Sequence, residues 1–123
     1  KMKNFVEFEV YQKAIELTKS IFKLLQEPQF TRETAFSNQL KRAVISISNN
    51  IAEGSEYNNN NQFIKYLKIA KGRCAEVKSM LILMVELEFV SYENAKPLQD
   101  MSVVISQQHS NFISYLDSNR KKD

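Results

Sequence analysis

The sequence predicts an all-α protein, a single antiparallel up-down-up-down four-helix bundle over residues 1–123, on three observations. Apolar residues recur every three or four positions along four long segments, which is the period of one helical face. Only two glycines and two prolines interrupt the 123 residues. Hydrophobic residues make up 43% of the chain and charged residues 25%, which suits one core. The length is too short for two packed domains.

The first helix is predicted over residues 8–26. Its apolar face follows steps of three and four through Tyr11, Ala14, Thr18, Ile21 and Leu25. A row beside it, spaced by seven, widens this face: Val10, Leu17 and Leu24. Pro28 ends the helix because it lacks an amide donor. In the connection from Thr31 to Thr34, a threonine hydroxyl is expected to cap the next helix.

The second helix is predicted over residues 35–53. Its apolar face consists of Phe36, Leu40, Ala43, Val44, Ile47 and Ile51. Several of these are β-branched, as in strands, but strict alternation is absent and the helical period prevails. Gly54 is expected to end the helix, because glycine adopts the left-handed conformation without penalty.

The third and fourth helices are predicted over residues 60–88 and 92–118. The third begins within a run of four asparagines, Asn58 to Asn61, which favour a turn and a helix cap. Its seam repeats every seven residues, typical of bundle packing, through Phe63, Leu67, Ala70, Cys74, Val77, Leu81 and Met84. A second row, Tyr66, Met80, Leu83 and Leu87, indicates contact with two neighbours. The fourth helix carries Ala95, Leu98, Met101, Ile105, Phe112 and Leu116 at helical spacing, with Pro97 in its first turns.

The positive charge is concentrated in the middle of the chain. Net charge is +1 over residues 1–40, +4 over residues 41–78 and −2 over residues 79–123. A solvated helix face explains such a run as well as a binding surface does. As a binding surface, it would contact the phosphates of a nucleic acid through Lys41, Arg42, Lys65, Lys68, Lys71, Arg73 and Lys78.

Polar residues form a second stripe along the second helix. They recur at steps of three and four as Gln39, Arg42, Ser46, Asn49 or Asn50, and Glu53, with Gly54 at the end. Such a ladder can hydrogen-bond across a bundle or a subunit seam and set its register. A structural or oligomeric role is one interpretation, and a ligand or nucleic-acid site is the other.

The chain offers little for catalysis. His109 is the only histidine, and no Ser, Cys or carboxylate motif points to a partner, so a structural role is expected. Cys74 occupies a seam position and is expected to pack as a small apolar residue. No Glu-x-x-His motif, phosphate loop or cysteine and histidine cluster is present, so we expect no metal, no cofactor and no enzyme.

The cellular setting is expected to be cytoplasmic. A single cysteine cannot form an intramolecular disulfide, which favours a reducing compartment. No run approaches the roughly 18 apolar residues of a membrane-spanning helix, so no membrane is expected among the partners.

Three segments resemble the four-helix-bundle proteins encoded in 23S rRNA intervening sequences. The second helix carries the resemblance in residues 39–43, in Ser46 and Ile47, and in residues 50–54. Residues 10–14 resemble that family's first helix. The third helix contributes Phe63, Leu67, Ile69, Ala70, Gly72 and Glu76. The resemblance implies a bundle that assembles as a homopentamer. It also implies kinship with the accessory variability protein of diversity-generating retroelements, which binds nucleic acid and a reverse transcriptase.

Two functions remain open from the sequence. The first is a non-enzymatic homo-oligomer that binds RNA or DNA without sequence specificity, through the basic residues of the middle third. Repetition of a weak basic surface around a ring would raise its avidity. The second is a protein-interaction scaffold whose basic face docks an acidic protein partner, with no nucleic acid involved.

Overall fold

A computed structural model describes residues 4–120 of the chain, which form four α-helices with short connections. The helices are α1 (Glu9–Leu24), α2 (Thr34–Ser55), α3 (Asn60–Glu86) and α4 (Tyr92–Arg120). Single-turn 3₁₀ helices, Phe5–Glu7 and Pro28–Phe30, precede α1 and α2. Residues 4–120 include no strand, which confirms the all-α prediction. The observed helix ends lie within two residues of the predicted ones.

The buried face of α1 is centred on Val10, Leu17 and Leu24, the row spaced by seven that lies beside the predicted apolar face. Its buried residues are Val10, Ala14, Leu17, Ile21 and Leu24. Tyr11 and Thr18 lie at the edge of this face and are only half-buried. The Thr18 hydroxyl donates to the carbonyl of Ala14 at 2.8 Å, which satisfies it within its own helix.

The predicted seam of α3 is confirmed, because all seven of its residues are buried. The second row behaves differently: Met80 is buried, whereas Leu83 and Leu87 are 45% and 53% exposed. α3 does pack against two neighbours, α2 and α4, as predicted, but only part of this row reaches into those contacts. Leu83 and Leu87 lie near the end of α3, on a part of its surface that neither α2 nor α4 covers.

Each helix packs against two others: α1 and α3 each contact both α2 and α4. At one end of the protein, Phe8, Phe63 and Phe112 meet with ring centroids 5.2–6.1 Å apart. At the other end, Phe89 meets Phe30 and Phe36 edge to face, with centroids 5.8 and 5.4 Å apart. The aromatic clusters therefore join the start of α1 to the end of α4, and the start of α2 to the end of α3.

The helix ends depart from the sequence prediction in two places. Gly54 does not end α2 in the left-handed conformation; it lies within the helix, and no glycine among the described residues has a positive φ. No threonine side chain caps α2, whose N-cap is Glu33; the Thr31 hydroxyl instead donates to the carbonyl of Pro28. The expected asparagine cap is present, because Asn59 accepts from the amide of Gln62 at 3.1 Å.

A close approach of two helices explains the glycine at position 54. A Cβ atom there would lie 2.6 Å from the Tyr66 Cβ and 3.1 Å from the Phe63 Cδ1 of α3. Non-bonded carbon atoms favour about 3.5–4.0 Å, so a side chain would push the helices apart. The turn from α3 to α4 uses the left-handed conformation at Glu88 instead, with φ of 63°.

None of the helices in the described part of the chain is both long and apolar enough to cross a membrane.

Candidate nucleic-acid interface

Four lysines of α3 form one exposed surface, which we call the lysine arc: Lys65, Lys68, Lys71 and Lys78. At about 100° per residue they occupy roughly 140° of the helix circumference. Within residues 4–120, none of these ammonium groups lies within 4.0 Å of a carboxylate. The arc is therefore a run of solvent-exposed charge without a neutralising partner in that part of the chain.

The other three predicted cations do not belong to this arc. Lys41 faces α1, where its Nζ atom lies 5.3 Å from the centre of the Phe22 ring, a cation–π contact. Arg42 of α2 and Arg73 of α3 line the groove between these two helices, on the side of α3 that faces away from the lysine arc. The predicted basic surface is thus divided into three places on the molecule. The charge pattern alone did not show this division, because it depends on which helices are neighbours.

Arg42 and Arg73 line a groove of about 270 Å³, the α2–α3 groove, with Gln39, Ala43, Ser46 and Glu76. The Gln39 Nε2 atom donates to the Glu76 Oε2 atom at 2.6 Å, which joins the two helices. The Arg42 Nη2 atom donates to the Gln39 Oε1 atom at 3.1 Å. The Arg73 Nη1 atom donates to the Glu76 Oε1 atom at 3.3 Å. One chain of hydrogen bonds therefore holds both guanidinium groups.

The predicted polar stripe of α2 is only partly used across helices. Gln39 bonds to α3, as described, but Asn50 bonds within α2, donating to the carbonyl and the hydroxyl of Ser46 at 2.8 and 2.9 Å. Glu53 and Asn49 are exposed. The stripe is therefore not a buried ladder, because it lies at the outer edge of the α2–α3 contact.

Glu76 is the charged residue of this groove that the sequence pattern did not indicate as a site residue. Its spacing of three from Arg73 was the available signal, since oppositely charged residues three apart on a helix are neighbours. The bond from Gln39 could not be foreseen, because the two residues are 37 positions apart.

The remaining reactive side chains are buried. Desolvation raises the pKa of the Cys74 thiol to about 12, which keeps it protonated. His109 is fully buried, with its Nδ1 atom 2.9 Å from the carbonyl oxygen of Ile105. Desolvation lowers the pKa of His109, against the backbone hydrogen bond, and the charge of Lys71 lowers it further. Residues 4–120 hold no group of three or more potential metal ligands.

The buried His109 predicts a loss of stability in mild acid. Its folded pKa lies below the unfolded value of about 6.5, so the unfolded state binds more protons as the pH falls through that value. The free energy of unfolding should therefore decrease from pH 7.5 to about pH 5.5. Urea unfolding followed by circular dichroism measures this change. His109→Gln should flatten the profile over this window, and an unchanged slope would contradict the assignment.

A larger cleft lies between the start of α1 and the end of α4, with a volume of about 380 Å³. Its lining residues are two glutamates, two amide residues and three apolar residues: Glu7, Glu9, Gln108, Asn111, Phe8, Val10 and Phe112. The charged residues of this lining are both acidic, whereas the α2–α3 groove contains two arginines and one glutamate.

Comparisons with known proteins give one family and one fold. Residues 6–111 match the family described as 23S rRNA-intervening sequence protein. A crystal structure at 1.70 Å from Bacteroides thetaiotaomicron VPI-5482, of a protein with unknown function from the S23 ribosomal protein family, is similar to this chain. The two are 25% identical with a TM-score of 0.76, and the match covers 85% of this chain and 97% of the other. No curated protein matches the chain.

Proposed function

The chain belongs to the family of 23S rRNA-intervening sequence proteins, and we propose that it is a non-enzymatic, homo-oligomeric helical bundle that binds RNA or DNA through phosphate contacts. The observation that carries the proposal is the lysine arc, whose ammonium groups have no carboxylate within 4.0 Å in residues 4–120. Phosphate contacts carry no sequence information, so binding is expected to be independent of sequence. Burial of His109 and Cys74 favours the non-enzymatic assignment.

We infer that the helices run up, down, up and down. The Asn60 side chain at the start of α3 donates to the carbonyl of Leu116 near the end of α4. Gln39 near the start of α2 reaches Glu76 in the second half of α3, whereas Gly54 at the end of α2 meets Tyr66. These pairs fit antiparallel neighbours, as short connections between helices favour.

The homo-oligomer is supported by apolar side chains that the single chain leaves exposed. Near the junction of α3 and α4, Ile82, Leu83, Leu87 and Tyr92 are 43–53% exposed. Exposed apolar side chains that lie together are typical of protein contacts, and these four lie on adjoining turns at one end of the molecule. A second copy of the chain is the proposed partner, with five copies as the expected number.

Light scattering after gel filtration tests the assembly. We expect a particle several times the 14.3 kDa of one chain, about 72 kDa for a ring of five. Replacing Leu83 and Leu87 by Ser should reduce this mass, because it removes apolar contact area. The matched control is Val103→Ser with Val104→Ser on α4, which removes exposed apolar area elsewhere. A monomeric wild-type chain would contradict the proposal.

Fluorescence anisotropy of labelled single-stranded RNA and DNA across a salt series tests nucleic-acid binding. Each phosphate contact contributes a slope of about −0.7 to log K against log salt, so the four lysines of one subunit should give about −3. RNA and DNA of different sequence should bind with similar affinity. Absence of binding even at low salt would remove nucleic acid from the proposal and leave a scaffold for an acidic protein.

A further inference from the structure

We propose that the α2–α3 groove is a binding site for one phosphate group, held between Arg42, Arg73 and the hydroxyl of Ser46. The inference rests on the proposed function in one respect, the source of the phosphate, which we take to be a nucleic-acid backbone. The groove lies on the α2 side of α3 and is separate from the lysine arc, whose cations are point charges in open solvent.

The two guanidinium groups are held before any ligand arrives. Glu76 binds Arg73 directly and Gln39 through its other carboxylate oxygen, and Gln39 in turn accepts from Arg42. Each guanidinium uses one nitrogen in this chain of hydrogen bonds, which leaves further N–H groups for a ligand. Because these hydrogen bonds already restrict both side chains, less side-chain entropy is lost on binding. The charge of the three ionised groups, Arg42, Arg73 and Glu76, sums to +1.

Ser46 supplies a neutral donor in the same groove. Its Oγ atom accepts from the Asn50 Nδ2 atom at 2.9 Å, which occupies a lone pair of the hydroxyl. Among residues 4–120 this hydroxyl donates no hydrogen bond, so its proton is available to a ligand.

The arrangement favours phosphate over carboxylate. A carboxylate is planar and pairs best with a single guanidinium, through two parallel hydrogen bonds. Here the two guanidinium groups come from different helices, and a tetrahedral phosphate offers oxygens in several directions. The groove volume of about 270 Å³ is several times the roughly 30 Å³ of a water molecule in the liquid. It therefore has room for a phosphate group attached to a sugar.

Titration with inorganic phosphate tests the site itself. The ¹⁵N-labelled side-chain signals of Arg42 and Arg73 should shift saturably with phosphate, and not with chloride at the same ionic strength. Acetate is the third anion to be tested, and it should shift the two arginine signals less than phosphate does. Ser46→Ala should weaken phosphate binding by about fivefold, since one neutral hydrogen bond is lost. Signals that respond equally to chloride, or only to acetate, would overturn the inference.

Two adjacent residues of α2 provide a test variant and a matched control variant for the measurement of RNA binding. Arg42→Gln should weaken binding of a labelled single-stranded RNA by about tenfold or more, because a charge-assisted hydrogen bond is removed. Lys41→Gln removes the same charge one residue away, where the side chain faces Phe22, and should change the affinity by less than about threefold. Circular dichroism checks that both variants remain folded.

The phosphate titration and the RNA-binding measurement distinguish failure of the phosphate site from failure of the proposed function. If phosphate shifts the arginine signals but RNA does not bind, the site takes free phosphate or a phosphate monoester, and only the proposed function fails. If RNA binds and the two variants weaken it equally while phosphate shifts nothing, the proposed function stands and the groove is not a phosphate site.

Discussion

Replacing Gly54 by Ala should lower the free energy of unfolding by about 1–3 kcal/mol, although alanine is the better helix former. The new Cβ would stand 2.6 Å from the Cβ atom of Tyr66, which is fixed to its own backbone and cannot rotate away. Relief therefore requires α2 and α3 to separate, at the expense of the packing around Phe63. Gly54→Leu should lower the free energy of unfolding further, because the larger leucine side chain must also be accommodated between α2 and α3.

Gly72 supplies the matched control for this prediction. It is exposed in the middle of α3, and a Cβ built there meets no atom within 4 Å. Gly72→Ala should therefore raise the free energy of unfolding by about 0.5–1 kcal/mol through helix propensity alone. Urea unfolding followed by far-ultraviolet circular dichroism measures both variants. Effects of the same sign at the two positions would show that the close approach at Gly54 does not govern its substitution.

Reversing three charges of the lysine arc should nearly abolish nucleic-acid binding. For the variant Lys65→Glu, Lys68→Glu and Lys71→Glu, removing three cations that bind phosphates of single-stranded RNA corresponds to about 100-fold weaker binding at about 0.1 M salt. The added glutamates repel the phosphates and weaken binding further. The salt slope should become shallower by about 2, because three fewer phosphates are neutralised by the protein. The mass of the assembled particle should not change.

A control variant separates local contact from net charge. Lys19→Glu, Lys23→Glu and Arg32→Glu change the total charge equally, at exposed positions on α1 and after it. α1 packs chiefly against α2 and α4, so Lys19 and Lys23 lie on a helix that is not the arc's close neighbour, and Arg32 lies in the connection that leads to α2. This control should retain most of the affinity. Equally weakened binding in the two variants would mean that overall charge attracts the nucleic acid and that the arc is not its contact surface.

The candidate site was only partly predictable from the sequence. The stretch rich in cations was evident, and the exposure of Lys65, Lys68 and Lys71 follows from their place opposite the seam of α3. Lys41 looked equivalent to Arg42, but its side chain turns toward Phe22 of another helix. A charge count treats all cations alike, whereas binding depends on which of them share a surface.

The sequence by itself determined the helices, their approximate ends and the buried seam of α3. These features depend on interactions between residues three, four and seven positions apart, so the hydrophobic period is sufficient to reveal them. Only the tertiary structure decided why position 54 is glycine, that Leu83 and Leu87 stay exposed, and that Gln39 meets Glu76. Each of these depends on the distance and direction of a neighbouring helix. That geometry is set by the packing of all four helices together and has no periodic trace in the sequence.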